Sequence, residues 1–383
     1  MSVTFAKGFK AAGIAAGIKS SGNKDLALVL NEGPQFKAAG VFTSNRIKAA
    51  PVLWSEQVLK QELLKAVVLN SGGANACTGP AGFGDTHHTA EKVAAVLGCA
   101  PIEVAVCSTG LIGVRLPMPE LLSGIETAAD LLTDSGGANA AEAIMTTDSV
   151  PKTASIETNG FKIGGMAKGA GMLAPGLATM LVVITTDADL QNLNTTAILQ
   201  DSVEVSFNRI DSDGCMSTND TVLLLSSGAS EVAPTETDFA AALTVVCNDL
   251  ARQLIADAEG ASKDIRIDVV NAATELDAVE AARAISRSNL LKCAIHGEDP
   301  NWGRVLAAIG TTAAVFEPDA VDVALNGVWV CRDGMAGEDR DLVDMSAREV
   351  LITVNLRAGN ESASLWTNDL TALYVHENSA YSS

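Results

Sequence analysis

The chain has 383 residues, of which 48% are hydrophobic and 19% are charged, a balance typical of a globular protein with a large core. Its formal net charge of −20 would repel a phosphate backbone, so we expect no nucleic-acid partner.

The seven cysteines form no CxxC pair, and we expect them to be reduced core residues of a cytoplasmic protein. The N-terminal segment lacks the uninterrupted apolar core of a secretory leader. No apolar run approaches the roughly 18 residues needed to cross a bilayer, so we expect no membrane contact.

The first part of the chain alternates apolar strands with glycine-rich loops, as in "KAVVLNSGGANACTG" (65–79) and "VAVCSTGLIG" (104–113). Helices are predicted from about Asp85 to Leu97, over "MPELLSGIETAADLL" and over "GGANAAEAIMTTD". "ASIETNGFKIGG" (154–165) predicts a hairpin, because Asn-Gly between two alternating runs is typical of a type I′ turn.

Further strands are predicted over 179–187 and at "TVLLLSS" (221–227), followed by a long amphipathic helix over 235–260 that Gly260 would end. After them come a strand at "IRIDVV", a helix over 276–293 and three strands, two of which join at Asn326-Gly327. Strands that come in hairpins predict an α+β fold, a layered sandwich with largely antiparallel sheets. A soft boundary near residue 230 divides a main region, 1–230, from a C-terminal α/β region, 231–383.

Most common catalytic patterns are missing from the sequence. There is no GxxxxGK[ST] phosphate loop, no GxGxxG after a strand of a βαβ unit and no GxSxG turn. The four histidines show no metal-binding spacing, so we expect no metal site. An acyl-transfer enzyme with this sequence must therefore activate its nucleophile without a histidine base.

An N-terminal threonine satisfies that requirement, because its own α-amino group, with a pKa of about 7.7–8.0, can accept the hydroxyl proton. In "KGAGMLAPGLATMLVVITTDA" (168–188) a flexible glycine-rich run meets a stiff β-branched strand at Ala178-Thr179. A small residue before the threonine and a rigid strand after it suit attack of the hydroxyl on the preceding carbonyl. We therefore predict that the bond between Ala178 and Thr179 cleaves itself. The alternative, from local sequence alone, is an ordinary surface loop before a core strand.

Several segments together resemble the ornithine acetyltransferase family of arginine biosynthesis. They are "NSGGANACTG", "VCSTGLIG", "MTTDSVPK", "GGMAKGAGMLAPGLATMLVVITTDA", "HGEDPNWGR" and the final "ENSAYSS". They occur in the family's order, from the first strands to the last residue. The resemblance implies the self-cleaving, N-terminal-nucleophile sandwich of the ornithine acetyltransferase and aminopeptidase superfamily, cut before the threonine of "LATM", here Thr179.

The resemblance also implies the reaction. The fragments 1–178 and 179–383 would stay together and pair as an α2β2 heterotetramer. The enzyme would transfer acetyl from N-acetylornithine to glutamate through an acetyl-threonine ester with ping-pong kinetics. It would be a glutamate N-acetyltransferase without metal or cofactor, and some family members also accept acetyl-CoA as a donor.

Roles for single residues follow from the same resemblance. Thr109 and Gly110 of "CSTG" would stabilise the oxyanion, the glycine by its backbone N–H and the threonine by its hydroxyl. Lys168 would supply a local cation for the substrate's α-carboxylate, and Glu259 would face an ammonium group. The substrate contacts implied are Thr146 or Thr147, Lys168, Thr179, Glu259, Asn378 and Ser383. Ser383 stands where the family often has threonine, and it keeps both hydroxyl and terminal carboxylate.

Two other classes of function remain open. An N-terminal-nucleophile aminopeptidase or amidohydrolase would use the same threonine but give the acyl group to water. A non-catalytic binding protein would keep its chain intact, which a denaturing gel would reveal.

Overall fold

The computed structural model describes residues 2–174 and 180–380. Of these, 2–208 and 215–257 form one compact unit, and 209–214 and 258–380 form a second. The first unit contains the predicted oxyanion pair and lysine, whereas the second contains Glu259 and Asn378. The sequence placed a boundary near 230, but the division follows residue 257, because the long helix before it packs on strands of the first unit.

The first unit has two sheets. Its strands are β1 (Phe9–Ile14), β2 (Leu26–Asn31), β3 (Ala38–Phe42), β4 (Ala66–Asn70), β5 (Val104–Ser108), β6 (Lys152–Thr158), β7 (Phe161–Lys168), β8 (Leu181–Thr186) and β9 (Thr221–Ser226). One sheet has the order β1-β2-β4-β5 and the other β3-β9-β8-β7-β6. Its helices are α1 (Ala50–Val58), α2 (Gly79–Leu97), α3 (Met118–Asp130), α4 (Gly137–Ala143), α5 (Thr195–Glu204) and α6 (Glu236–Ala256).

Side chains alternate between the two faces of each strand, and this alternation gives the first unit a four-layer sandwich. In β2, Ala27 and Val29 face a core shared with Val183 and Leu223 of the other sheet, because successive side chains of a strand point to opposite faces. The outward faces of β2 and β4 pack on α2 and α3, while α5 and α6 cover the second sheet. These layers confirm the predicted fold class.

Antiparallel pairing dominates, as predicted, but each sheet of the described chain contains one parallel pair. In the first unit these pairs are β4 with β5 and β8 with β9. The first pair brings the ends of β4 and β5 to one edge, with Asn70 beside Ser108. The second sets Leu181 opposite Thr221, so Met180 and Asp220, which directly precede β8 and β9, also lie together.

The second unit is one sheet with helices on it. Its strands are β10 (Asp264–Ala272), β11 (Asp322–Leu325), β12 (Val328–Arg332), β13 (Met335–Ala336), β14 (Glu349–Asn355) and β15 (Glu361–Asn368), in the order β13-β12-β11-β14-β10-β15. The helices are α7 (Glu275–Ser286), α8 (Asn289–His296), α9 (Trp302–Ile309) and α10 (Ala372–Ala380). The buried face of α7 packs on β10 and β15.

Both predicted hairpins are confirmed by backbone geometry. Asn159 and Gly160 have φ of +48° and +85°, and Asn326 and Gly327 have +46° and +85°, as a type I′ turn requires. They join β6 to β7 and β11 to β12.

Several element limits were predicted wrongly. α2 begins at Gly79 rather than near Asp85, and the helix expected over 276–293 is two helices, because the Ser288 side chain caps a new start at Leu291 N. The "GGANAAEAIMTTD" helix covers only α4. Helices α1, α5, α9 and α10 and strand β15 were not predicted.

The prediction that all seven cysteines lie in the core is wrong, since three are exposed: Cys77, Cys215 and Cys293.

α6 has the length and composition of a membrane span, the one such helix in the described ranges. Its apolar residues are nevertheless core residues, since Phe239, Leu243 and Leu250 are fully buried. A Cβ on Gly165 of β7 would lie 3.0 Å from Leu250, so the glycine allows close helix–sheet packing. The helix ends at Ala256, four residues before the glycine predicted to stop it.

Candidate active site

The predicted oxyanion pair lies directly after β5. Thr109 is buried, and its N–H donates to the Asn70 carbonyl at 3.0 Å, which extends the parallel β4–β5 ladder by one residue. Gly110 follows with φ of +130°, and a Cβ there would stand 2.8 Å from the Gly73 nitrogen. Only glycine fits this close approach of two backbone segments.

Thr109 also forms an isolated antiparallel bridge with Gly73, so the turn is held against the loop that follows β4. The Gly110 N–H and the Thr109 hydroxyl are the two donors that the sequence predicts for an oxyanion. They remain a prediction, placed by the structure at a turn with a closely constrained backbone.

Lys168 is the last residue of β7, and its side chain has no exposed surface, so it is not a solvated loop lysine. Its ammonium group donates to the Thr146 hydroxyl at 3.4 Å. Burial lowers the pKa of Lys168 to about 8, although the carboxyl groups of Asp148 and Asp220 act in the opposite direction. Lys168 therefore loses its charge near neutral pH more easily than an ordinary lysine.

Asp148 organises the loop around this lysine. Its carboxylate accepts hydrogen bonds from the backbone N–H groups of Thr146 at 2.9 Å and Gly169 at 2.7 Å, and from the Lys152 ammonium at 2.6 Å. Burial acts to raise the pKa of Asp148, but the charges of Lys152 and Lys168 outweigh it and lower that pKa. An ionised Asp148 thus holds Thr146 and Gly169 together, on the two segments predicted to bind the substrate's α-carboxylate.

The sequence left open whether Thr146 or Thr147 contacts substrate. Both lie in the half-buried bend between α4 and β6. The described contact to Lys168 is made by Thr146, which is therefore placed beside the predicted cation.

In the second unit, Glu259 and Asn378 are brought together although 119 positions separate them. The Asn378 amide donates to Glu259 Oε2 at 2.9 Å and to the Tyr374 carbonyl at 3.0 Å. Gly260, with φ of +63°, allows this arrangement, because a Cβ there would lie 2.3 Å from the Tyr374 nitrogen. The glycine thus serves the docking of α10 rather than the end of α6.

Glu259 also lines a cavity of about 390 Å³ in the second unit. The same cavity is lined by Lys292, whose ammonium donates to Thr367 Oγ1 at 3.1 Å and to the Ser212 carbonyl. Burial lowers the pKa of Lys292 to about 8. Sequence reasoning missed this lysine, because it lies on a helix with no motif to mark it.

Ala178, Thr179 and Ser383 lie outside the described residues. The residue after the predicted nucleophile, Met180, is fully buried, and its N–H donates to Asp220 Oδ1 at 3.1 Å. Within the described ranges, no group of three or more histidine, cysteine, aspartate or glutamate residues could hold a metal ion.

A sequence profile of the ArgJ family matches residues 10–383 of this chain. The arginine biosynthesis bifunctional protein ArgJ of Streptomyces coelicolor is 69% identical over 383 residues, which are 100% of both chains. The protein of the same name from Thermobifida fusca is 61% identical over 382 residues, 100% of both. A solved ornithine acetyltransferase chain from Mycobacterium tuberculosis, complexed with ornithine, is 59% identical. It covers 47% of this chain and 96% of that chain, with a TM-score of 0.45.

Proposed function

Since the chain belongs to the ArgJ family, we propose that it is a self-cleaving acetyltransferase of arginine biosynthesis, moving acetyl from N-acetylornithine to glutamate. The observation that carries the proposal is the extent of the similarity, which spans this whole chain and the whole length of relatives named for that pathway. The turn after β5, where Thr109 is buried and Gly110 closely approaches Gly73, is consistent with the same chemistry.

Maturation comes first. The Thr179 hydroxyl attacks the Ala178 carbonyl, the acyl group shifts from nitrogen to oxygen, and water hydrolyses the resulting ester. The products are a carboxylate on Ala178 and a free α-amino group on Thr179. That amine, with an ordinary pKa of about 7.7–8.0, is substantially neutral near pH 8 and can act as a base.

Acetyl transfer then takes two half-reactions. The Thr179 hydroxyl attacks the acetyl carbonyl of N-acetylornithine while its own amine accepts the proton, and Thr109 and Gly110 donate hydrogen bonds to the oxyanion. The proton passes to the departing ornithine amine, leaving acetyl-threonine. The α-amino group of glutamate attacks this ester, forms N-acetylglutamate and returns the proton to the hydroxyl.

The roles proposed for substrate binding are those that the sequence resemblance implies. Lys168, with Thr146 beside it and Thr147 in the same bend, would hold the α-carboxylate that both amino acids carry. Glu259 and Asn378 would bind the ornithine side-chain ammonium, with Ser383 as a further contact. We assign no metal or cofactor to the reaction, and we expect fragments 1–178 and 179–383 to pair as an α2β2 heterotetramer.

A second activity is proposed because relatives of this chain are named bifunctional. Acetyl-CoA would acetylate the same threonine, and glutamate would again be the acceptor. The nucleophile and oxyanion donors would be unchanged, because only the leaving group differs.

The test compares purified wild type with Thr179→Ala and Thr179→Ser. We expect two fragments on a denaturing gel for wild type, with the second beginning at Thr179, and one intact chain for Thr179→Ala. Acetyl transfer to glutamate from N-acetylornithine, and from acetyl-CoA, should exceed release of free acetate. An intact yet active wild type would refute the nucleophile, and acetate as the main product would favour the hydrolase.

A further inference from the structure

Four polar residues in a row, Ser217 to Asp220, are buried immediately before β9. Their exposed fractions are 4%, 7%, 4% and 0%. Burying a polar side chain opposes folding unless hydrogen bonds replace those to water. A run of four such residues is therefore expected to hold other parts of the chain in place.

Asn219 holds the loop that leads to the oxyanion pair. Its side-chain amide donates to the Ser108 carbonyl at 2.7 Å and to the Ala74 carbonyl at 2.6 Å. Ser108 is the last residue of β5 and directly precedes Thr109. The amide oxygen of Asn219 accepts a hydrogen bond from the Thr218 hydroxyl at 2.6 Å, so its side chain is oriented at both ends.

Asp220 holds the residue after the predicted nucleophile. Its Oδ1 accepts the Met180 N–H at 3.1 Å, and the Met180 carbonyl accepts the Thr221 N–H at 3.1 Å. Met180 is therefore fixed on both sides at the start of the parallel β8–β9 pair.

Asp220 opposes folding more than an ordinary hydrogen-bonding residue would. Its Oδ2 is buried and finds no hydrogen-bond partner in the described part of the chain. Burial raises the pKa of Asp220 well above its usual value, and the Met180 N–H, the charge of Lys168 and the side chains of Ser217 and Thr43 offset this only partly.

We infer that Asn219 and Asp220 are positioning residues, which together fix the oxyanion turn and Met180, the residue that follows the predicted nucleophile, at one separation. The inference rests on the proposed function. The two residues are neighbours, with Cα atoms about 3.8 Å apart, so both anchors share one rigid peptide unit. Because a misplacement of about 1 Å can reduce a rate about 100-fold, a short rigid link between the two groups has a large effect on the rate.

The main test is Asp220→Ala, with Asp220→Asn as the conservative variant. Asn keeps an oxygen for the Met180 N–H, so we expect its kcat to stay within roughly threefold of wild type. Ala removes the acceptor, and we expect kcat per cleaved chain to fall about 10- to 100-fold with little change in KM. Cleaved chain is quantified on a denaturing gel, because slow maturation would otherwise imitate slow turnover.

The matched control is Asp187→Ala. Asp187 is buried at the opposite end of β8 and accepts backbone N–H groups from Lys162 at 2.7 Å and Lys7 at 3.1 Å. Its loss should lower Tm but leave kcat unchanged. Equal losses of kcat in Asp187→Ala and Asp220→Ala would overturn the inference, as would wild-type kcat in Asp220→Ala.

Asn219→Ser keeps the test decisive if Asp220→Ala fails to fold. Serine removes both amide donors, and kcat should again fall while KM is kept. In the double variant Asn219→Ser/Asp220→Ala, the two reductions in kcat should not multiply, because both side chains act on one distance. Additive losses would overturn the inference. If wild type itself is uncleaved and inactive, the proposed function fails. If wild type is active and Asn219→Ser turns over normally, only this inference fails.

Discussion

Gly110→Ala tests the oxyanion assignment by displacing one backbone donor without removing a functional group. The new Cβ would lie 2.8 Å from the nitrogen and 3.0 Å from the Cα of Gly73. Carbon atoms normally approach to about 3.5–4.0 Å, so one of the two backbone segments must move by roughly 0.5 Å. The φ of +130° adds strain of about 1–3 kcal/mol for a residue with a side chain.

We expect kcat to fall about 10²- to 10³-fold, the loss of one oxyanion donor, which corresponds to about 2.7–4 kcal/mol. KM should change little, because no predicted substrate contact is altered. The assay follows ornithine release from N-acetylornithine in the presence of glutamate, with rates normalised to the cleaved fraction.

Two controls separate the effect of backbone strain from the effect of displacing the Gly110 N–H. Gly113→Ala lies in the same loop at φ +85° with nothing within 4 Å, so it adds backbone strain without a clash. Gly84→Ala lies on α2, also in open space, and should stabilise the protein by about 0.5–1 kcal/mol. The reasoning is refuted if folded Gly110→Ala keeps wild-type kcat, or if Gly113→Ala loses as much.

The other predictions concern three residues, Lys168, Glu259 and Gly260. Lys168 loses its charge as pH rises through about 8, so wild-type KM for glutamate should rise above that pH, whereas Lys168→Met should show a high KM without this dependence. Because the unfolded pKa of Lys168 is near 10.5, the buried ammonium opposes folding below pH 8 and opposes it less as pH rises towards 10.5. The Tm of the uncleaved Thr179→Ala background should therefore gain from this group as pH rises through that window, and Lys168→Met should remove that gain. Glu259→Gln should raise KM about tenfold for N-acetylornithine and less for glutamate, which lacks a side-chain ammonium; equal effects would contradict the assignment. Gly260→Ala should undock α10, seen as faster amide exchange there, while Gly98→Ala, at φ +69° in open space, should not.

The parts of the fold that the sequence predicted are those fixed locally. Asn-Gly pairs impose type I′ turns whatever surrounds them, and β8 and β9 are β-branched or apolar at every position except Ser226. α10 was missed because its apolar residues do not form a buried face, as Leu373 and Val375 are more than half exposed. Its position depends on a backbone contact with Gly260, 114 residues earlier than Tyr374, which no local pattern reveals.

The residues of the candidate site also divide into those with a local sequence signal and those whose environment depends on tertiary packing. Thr109 and Gly110 carry a local signal, a glycine-containing turn after a buried strand. The burial of Lys168 and its contact with Thr146 arise from tertiary packing, so the sequence could name the residues but not their environment. Asn219 and Asp220 were missed because "STND" resembles a solvated loop. The one available signal was its place directly before a mostly apolar strand, "TVLLLS".

The strand order β3-β9-β8-β7-β6 has a consequence for the fate of a cleaved chain. β3, β6 and β7 precede residue 179, whereas β8 and β9 follow it, so strands of one fragment lie on both sides of strands of the other. Parting the fragments would break the β3–β9 and β7–β8 ladders and open the core between the sheets. Cleavage of the Ala178-Thr179 bond should therefore be permanent but should leave the fold unchanged. A mixture of two differently labelled preparations should not exchange fragments without unfolding first.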